Sequence, residues 1–370
     1  MNRPRPRRDD IAMHAPTPPD LPHIPVVDLR DGGLAAHVRL DPERARGLRD
    51  DCLGFFPPGI GLAIPAGDAL ARRWLARSAS PYVDEIAAMA ATLGVSGVWV
   101  LNASYQWACT ALAREEGGAP WLARTLDWPF PGLGRRVTVA RLPGAAGDYW
   151  SVGWPGFAGV LTGLAPGRFA ASINQAPMRR RTLHPWLRLY DMAANALAAW
   201  PVRHLPPDHL LRRVFETAAD YAVARRMLEN VPVSRPVIYT LVGPRPGERC
   251  VIERTEEGAA IRTDDTTAAN DWSPPRPAWE ARMPANAFLT RSFAEAAAMS
   301  RVRQDQIADF DGAISKDFDW VVPPVLNPYT RIGVAMSPAT GVLRVVGYEA
   351  DGAALPRPVT AVREVICESA

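Results

Sequence analysis

The chain has 370 residues, 48% of them hydrophobic, enough to bury a large core in one to three domains. Its formal net charge of +3 is too small to argue for nucleic acid or an anionic surface as partner. Lys316 is the single lysine, so a lysine nucleophile has one candidate, in the polar stretch Ser315-Lys316-Asp317, and the arginine and alanine excess reads as genome base composition.

Residues 1–22 begin with Arg3-Pro4-Arg5-Pro6-Arg7-Arg8 and read as a disordered leader. No apolar h-region follows, and no stretch approaches the ~18 apolar residues of a membrane helix, so a cytoplasmic chain without an integral membrane segment is expected. Ile24 to Leu29 reads as a short strand. Helical spacing runs from Ala36 to Leu53 (Val38, Leu40, Ala45, Leu48), then over Asp68 to Ala76, and again from Pro81 to Gly94, with acidic residues in the last helix's first turn. From Cys109 to Asn174 the period shifts to short β-like runs: Val137 to Arg141, Phe157 to Leu164, and Arg168 to Ile173, the last two joined by Ala165-Pro166-Gly167. Helices return near Pro185 to Trp200 and from Pro207 to Asn230. Strands follow at Val237 to Val242 and Cys250 to Arg254. Arg331 to Met336 and Val342 to Tyr348 form a further hairpin candidate. This order predicts a layered α+β fold with no internal repeat.

Four cysteines (Cys52, Cys109, Cys250, Cys367) lie far apart, with no Cys-x-x-Cys. The six histidines show no His-Glu-x-x-His and no i, i+4 pair. No metal site and no cofactor are expected, nor a disulfide scaffold. Cys109 stands out. It lies in an apolar run, and Arg124 and Asp127 follow it by fifteen and eighteen residues. Between them Glu115-Glu116-Gly117-Gly118 signals a hairpin turn, which folds the second run onto the first. A thiol, a guanidinium and a carboxylate then lie close together. Arg124 and Asp127 are three apart and face opposite sides of a regular strand, so both reach Cys109 only at a bulge or a strand end. The competing reading of Cys109 is a small core hydrophobe, and of Arg124 with Asp127 a structural ion pair.

These residues carry a resemblance. Tyr105 through Ala113 and Ala123-Arg124-Thr125-Leu126-Asp127 are similar to the active-site segment of the acid ceramidase and N-acylethanolamine-hydrolysing acid amidase family, where Cys-Thr-Ser begins the mature β-subunit and Gly-Arg-Asn-x-Asp follows. Phe157 to Phe169 resembles that family's glycine-rich strand pair, with Asn174 where an Asn-Glu-Arg-like motif falls. Ala269-Asn270-Asp271-Trp272 resembles its Thr-Asn-Tyr-Asp-x-Trp, and Arg282-Met283-Pro284-Ala285 its Arg-Thr-Pro-Ala. The blocks span roughly half the chain and place the family in the choloylglycine-hydrolase-like branch of the N-terminal nucleophile hydrolases.

The resemblance implies a four-layer αββα sandwich preceded by a helical segment. It also implies cleavage of Ala108–Cys109, giving fragments of 108 and 262 residues. Residues 23–108 would be α-subunit-like and open to release by self-cleavage, and 109–370 the hydrolase core. Cys109 would be the nucleophile of a linear-amide hydrolase acting through an acyl-thioester. Its new α-amine, with a pKa of roughly 7.7–8.0, would serve as base, so no catalytic histidine is required. Asp127 would orient the amine, and Arg124 would hold Asp127 and favour the thiolate. Asn270 first, and Asn174 second, would donate to the oxyanion, and Arg282 would complete the polar shell. Trp128 and Trp154 are candidates for an apolar acyl slot. The partner would be a small N-acyl amine, N-acyl amino acid or ceramide-like substrate. The sequence departs from the family at Ala111, at Asn174-Gln175-Ala176 and at Ala281. Three other readings stay open: acyl transfer through the same intermediate, a papain-like hydrolase using His184, His204 or His209, and a non-catalytic binding protein retaining the fold.

Overall fold

A computed structural model describes residues 21–104, 108–282 and 292–368. Two large sheets form its centre. The first has eight strands: β1 (Val26–Asp28), β4 (Thr138–Leu142), β5 (Tyr149–Gly153), β6 (Thr162–Ala165), β7 (Phe169–Gln175), β9 (Val237–Val242), β10 (Arg249–Arg254) and β11 (Ala259–Arg262), in that spatial order. The second runs β12 (Thr267–Ala268), β2 (Ala108–Glu116), β3 (Ala119–Asp127), β14 (Thr330–Ser337), β15 (Val342–Glu349) and β16 (Arg357–Pro358), with β17 (Arg363–Ile366) also on β15. A small pair joins β8 (Met178–Arg179) to β13 (Trp279–Glu280).

Period-2 alternation builds the layers. On the second sheet Cys109, Ala113, Leu122 and Leu126 belong to the core shared with the first sheet. Their neighbours Leu112, Trp121 and Ala123 pack on the opposite face, against Ile307, Phe318 and Trp320. On the first sheet's outer face Phe215 stacks on Phe169 and Tyr149 at centroid distances of 4.9 and 5.4 Å. Gly163 is required there, because a Cβ would lie 2.9 Å from the Phe215 ring. Phe215 belongs to α8 (Pro207–Thr217), which with α9 (Tyr221–Asn230) covers that sheet. Helix α10 (Phe293–Ala308) covers the other, so the expected helix–sheet–sheet–helix layering is found.

The remaining helices are α1 (Gly33–Leu40), α2 (Pro42–Gly54), α3 (Ile64–Arg77), α4 (Val83–Leu93), α5 (Val98–Ala103), α6 (Leu133–Arg136) and α7 (Arg188–Ala199). Two expected helices are each broken in two. The 36–53 run is interrupted at Asp41-Pro42, where Asp41 accepts the Arg44 N–H as N-cap and proline starts a new helix. The 207–230 run breaks where Ala218 turns extended and Asp220 caps α9. The strand expected over Phe157 to Leu164 is confined to its end, β6.

The helical segment before Cys109 is part of the body. β1 pairs in parallel with β4, Val26 opposite Val139. The Trp74 Nε1–H donates to the Ala199 carbonyl at 3.1 Å, and the Tyr82 hydroxyl to Glu216 at 2.7 Å. No helix among the described residues is long and apolar enough to cross a membrane.

Candidate active site

The Gly117-Gly118 turn closes the β2–β3 hairpin as the sequence requires, both glycines at positive φ. Cys109 is set opposite Leu126, and Ala111 opposite Arg124, so thiol and guanidinium share the face turned to the first sheet. Arg124 is fully buried. Its Nη2 donates to Cys109 Sγ at 2.8 Å and to the Ile173 carbonyl at 2.9 Å, and its Nη1 to Thr162 Oγ1 at 2.7 Å.

Asp127 lies on the other face, opposite Ala108, where the β3–β14 register shifts between Thr330 and Ile332. The strand end supplies what the three-residue spacing demanded. Asp127 Oδ2 accepts from Asn327 Nδ2 at 2.7 Å and from Arg303 Nη1 at 3.3 Å, and its Oδ1 from Thr330 Oγ1 at 2.9 Å. Arg124 therefore holds the thiol, and the guanidinium that holds Asp127 is Arg303.

Arg303 escaped the sequence reading because α10 did. That helix's apolar residues are mostly alanine, which leaves no stripe to follow. A signal did exist: Ser292 and Glu295 form a capping box just before the run. From α10 the guanidinium also reaches the Cys109 carbonyl at 3.3 Å and Asn270 Oδ1 at 2.9 Å. The same Oδ1 accepts the Cys109 backbone N–H at 2.8 Å. Asn270 Nδ2 donates to the Gln175 carbonyl at 2.8 Å. Asn174 gives its Nδ2 to the carbonyls of Ala268 and Ala269, each at 3.1 Å, and so braces the segment that carries Asn270.

Arg282 brings its Nη1 to 3.7 Å from Met178 Sδ, and its backbone N–H donates to the Asn270 carbonyl at 3.0 Å. Met283-Pro284-Ala285, and Tyr105 to Trp107 before the expected scissile bond, lie outside the described residues. A cavity of about 750 Å³ adjoins this region, walled by Trp128, Phe130, Leu53, Phe56, Met178, Ser104 and Arg282 among others. Its size falls within the ~300–1,000 Å³ typical of ligand pockets. Trp154 is not in that wall. It stands edge-on to Trp128 at 5.7 Å and donates to the Leu133 carbonyl.

Burial pushes the Cys109 thiol up to about 11, and the Asp127 carboxylate adds to the rise, against Arg124 and Arg303. In the intact chain the thiol is therefore protonated near neutral pH. Burial also raises Asp127, opposed by Arg303, Asn327 and Thr330. The three histidines weighed as a base lie elsewhere: His184 and His204 are exposed on the surface, and buried His209 bonds to Ser80 through Nδ1 at 2.8 Å. Among the described residues no cluster of His, Cys, Asp or Glu could hold a metal ion.

Comparison with known proteins locates the chain. It is 26% identical over 266 residues to an N-acylethanolamine-hydrolysing acid amidase of Cavia porcellus, covering 70% of this chain and 67% of that one. It is 31% identical over 100 residues to an acid ceramidase of Mus musculus, covering 27% of this chain and 23% of that one. Similar solved structures include a Caenorhabditis elegans N-acylethanolamine-hydrolysing acid amidase orthologue, at 17% identity and a TM-score of 0.42 over 62% of this chain and 93% of that one. Another is a mutant conjugated bile acid hydrolase from Clostridium perfringens, at 10% identity and a TM-score of 0.35 over 70% and 92%. No protein-family profile matches.

Proposed function

We propose that this chain, homologous to N-acylethanolamine-hydrolysing acid amidase and acid ceramidase, is a linear-amide hydrolase whose nucleophile is Cys109, made N-terminal by cleavage of Ala108–Cys109. The observation that carries this is the meeting of Arg124, Asp127, Arg303 and Asn270 on one cysteine, two on its thiol face and backbone amide and two on the adjoining strand end and helix. A buried thiol kept only as a core hydrophobe needs no such surroundings.

Cleavage begins when Sγ attacks the Ala108 carbonyl, the acyl group moves from nitrogen to sulfur, and water releases it. The freed α-amine then takes the thiol proton. Sγ attacks the substrate amide carbon, and the oxyanion receives the second Nδ2 hydrogen of Asn270, with Asn174 holding that segment in place. The ammonium returns its proton to the leaving nitrogen, the C–N bond breaks, and an acyl-thioester remains. A water molecule, deprotonated by the same amine, attacks the thioester and frees the acid.

The apolar cavity beside Trp128 suits the acyl group of an N-acyl amine or N-acyl amino acid, with Trp154 supporting Trp128 from behind. Segment 23–108 stays in place after cleavage, because its strand and helices are built into the first sheet and the core. Intact mass of the purified protein tests the reading. Wild type gives two fragments that co-elute under native conditions, and Cys109→Ala gives one chain with hydrolysis reduced ~10³-fold or more. Unchanged processing and hydrolysis in Cys109→Ala would falsify it.

A further inference from the structure

Arg303 belongs to the group around Cys109, and the steps above give it no task of its own. Arg303 enters from α10, four-per-cent exposed, and its guanidinium spans three partners: Asn270 Oδ1, Asp127 Oδ2 and the Cys109 carbonyl. A guanidinium only donates hydrogen bonds, and so does the Cys109 peptide N–H. Both face the same atom of the Asn270 amide, and that atom must therefore be its oxygen. The usual ambiguity of a side-chain amide is removed here by chemistry.

We propose that Arg303 is the positioning residue of this active site, which locks Asn270 as the acceptor for the Cys109 nitrogen and pairs with Asp127, so that the amine released by cleavage is held with its lone pair toward the thiol. This rests on the reading of Cys109 as an N-terminal nucleophile. A free α-amine has two hydrogens and a lone pair. One hydrogen keeps the bond to Asn270 Oδ1, and the Asp127 carboxylate at the strand end attracts the other. The lone pair is left for the thiol proton. Without Arg303 the amide can rotate and present Nδ2 to the amine, which would draw on the lone pair. Asp127 would also lose its nearest cation.

Arg124 cannot take this task, because its guanidinium is committed to the thiol, Thr162 and Ile173. The charged and titratable groups acting on Asp127 are Arg303 from α10, Arg124 from β3, Arg331 from β14 and Cys109 from β2, with Asn327 and Thr330 as neutral donors.

The test compares Arg303→Gln and Arg303→Lys with wild type, using the full chain and an N-acylethanolamine substrate. Three quantities are measured: the rate of precursor cleavage, kcat and KM, and the pH profile of kcat/KM. Arg303→Gln is expected to slow cleavage and lower kcat ~100-fold with KM within about twofold. Its acid limb should move to higher pH, because Asp127 protonates more readily without its ion-pair partner. Arg303→Lys should restore most of the acid limb by returning the charge, but little of kcat, because an ammonium does not span both partners as a planar fork does. A merely structural arginine would lower the melting temperature and leave the limb in place, and that result, or wild-type kcat in Arg303→Gln, overturns the proposal. Should Arg303→Gln not fold, Arg303→Lys decides alone: kcat and limb both equal to wild type overturn it. Wild type that neither cleaves nor hydrolyses sinks the nucleophile reading itself, a separate outcome.

Discussion

Two polar clusters of this molecule, one around Cys109 and one around Ser80, set a thiol or a hydroxyl next to ionisable partners, and they differ in what surrounds those partners. Around Cys109 stand two guanidiniums, a carboxylate and an amide, each bonded. Around Ser80 stand His209 and Asp208, an arrangement that looks like a hydrolytic triad: Ser80 Oγ lies 2.8 Å from His209 Nδ1, and His209 Nε2 lies 3.8 Å from Asp208. Burial drives His209 down to about 3, and Arg212 pushes it the same way. Burial raises Asp208 to about 7. The histidine is thus a poor base near neutral pH, and the carboxyl is half neutral. Residue types in a triangle are insufficient; burial here sets the protonation of both His209 and Asp208 against base catalysis. The Ser80 cluster instead joins α8 to the segment before Cys109.

That contrast can be broken by substitution. Removing the cation beside the thiol with Arg124→Met should cost ~10²–10³-fold in kcat/KM, because the thiolate then develops in an apolar site without its donor. Activity within about threefold of wild type would place Arg124 with the structural arginines. The matching change in the second cluster, His209→Ala, should leave kcat/KM within about twofold. It should still destabilise the fold by ~1–3 kcal/mol in urea unfolding, through the lost Ser80 bond and the cavity left behind. A large loss of kcat instead would revive a histidine-dependent mechanism.

The two clusters also differ in how far the sequence disclosed them. Cys109, Arg124 and Asp127 were legible because a Gly-Gly turn between two apolar runs leaves one hairpin register, and the opposite-face problem of a three-residue spacing pointed to the strand end where Asp127 sits. Asn270 was found through a resembling block, but its orientation was not, since that depends on Arg303, which is 33 residues further on in a helix with no apolar stripe. Arg282 was read as part of the polar shell from its motif. Its guanidinium comes within 3.7 Å of Met178 Sδ at the cavity wall, and its backbone bonds to Asn270, a placement that sequence spacing does not encode. Trp154 likewise was grouped with Trp128 by proximity in sequence, and only packing shows one lining the cavity and the other behind it. The breaks at Asp41-Pro42 and at Asp220 were written in the chain as N-caps, and were overridden by an apolar periodicity that runs through both.

The smallest expected effect is the most specific to the Ser80 cluster. An acid whose folded-state pKa is raised stabilises the fold fully below its unfolded pKa and loses that contribution as pH rises through the folded value. For Asp208 the window runs from 3.8 to about 7. Asp208→Asn keeps the shape and cannot ionise, so it lacks this dependence. The stability of Asp208→Asn relative to its parent should therefore rise steadily from pH 4 to pH 7 and level off above. His209, depressed to about 3, has the opposite dependence, its contribution falling as pH drops below 6.5. It is common to both proteins and cancels in the difference. Urea unfolding at pH 5 and pH 8, in a Cys109→Ala background so that both chains stay intact, measures the gap directly. An equal gap at both pH values would mean that Asp208 is ionised in the folded state, and the second cluster would then hold a buried charge, as the first does.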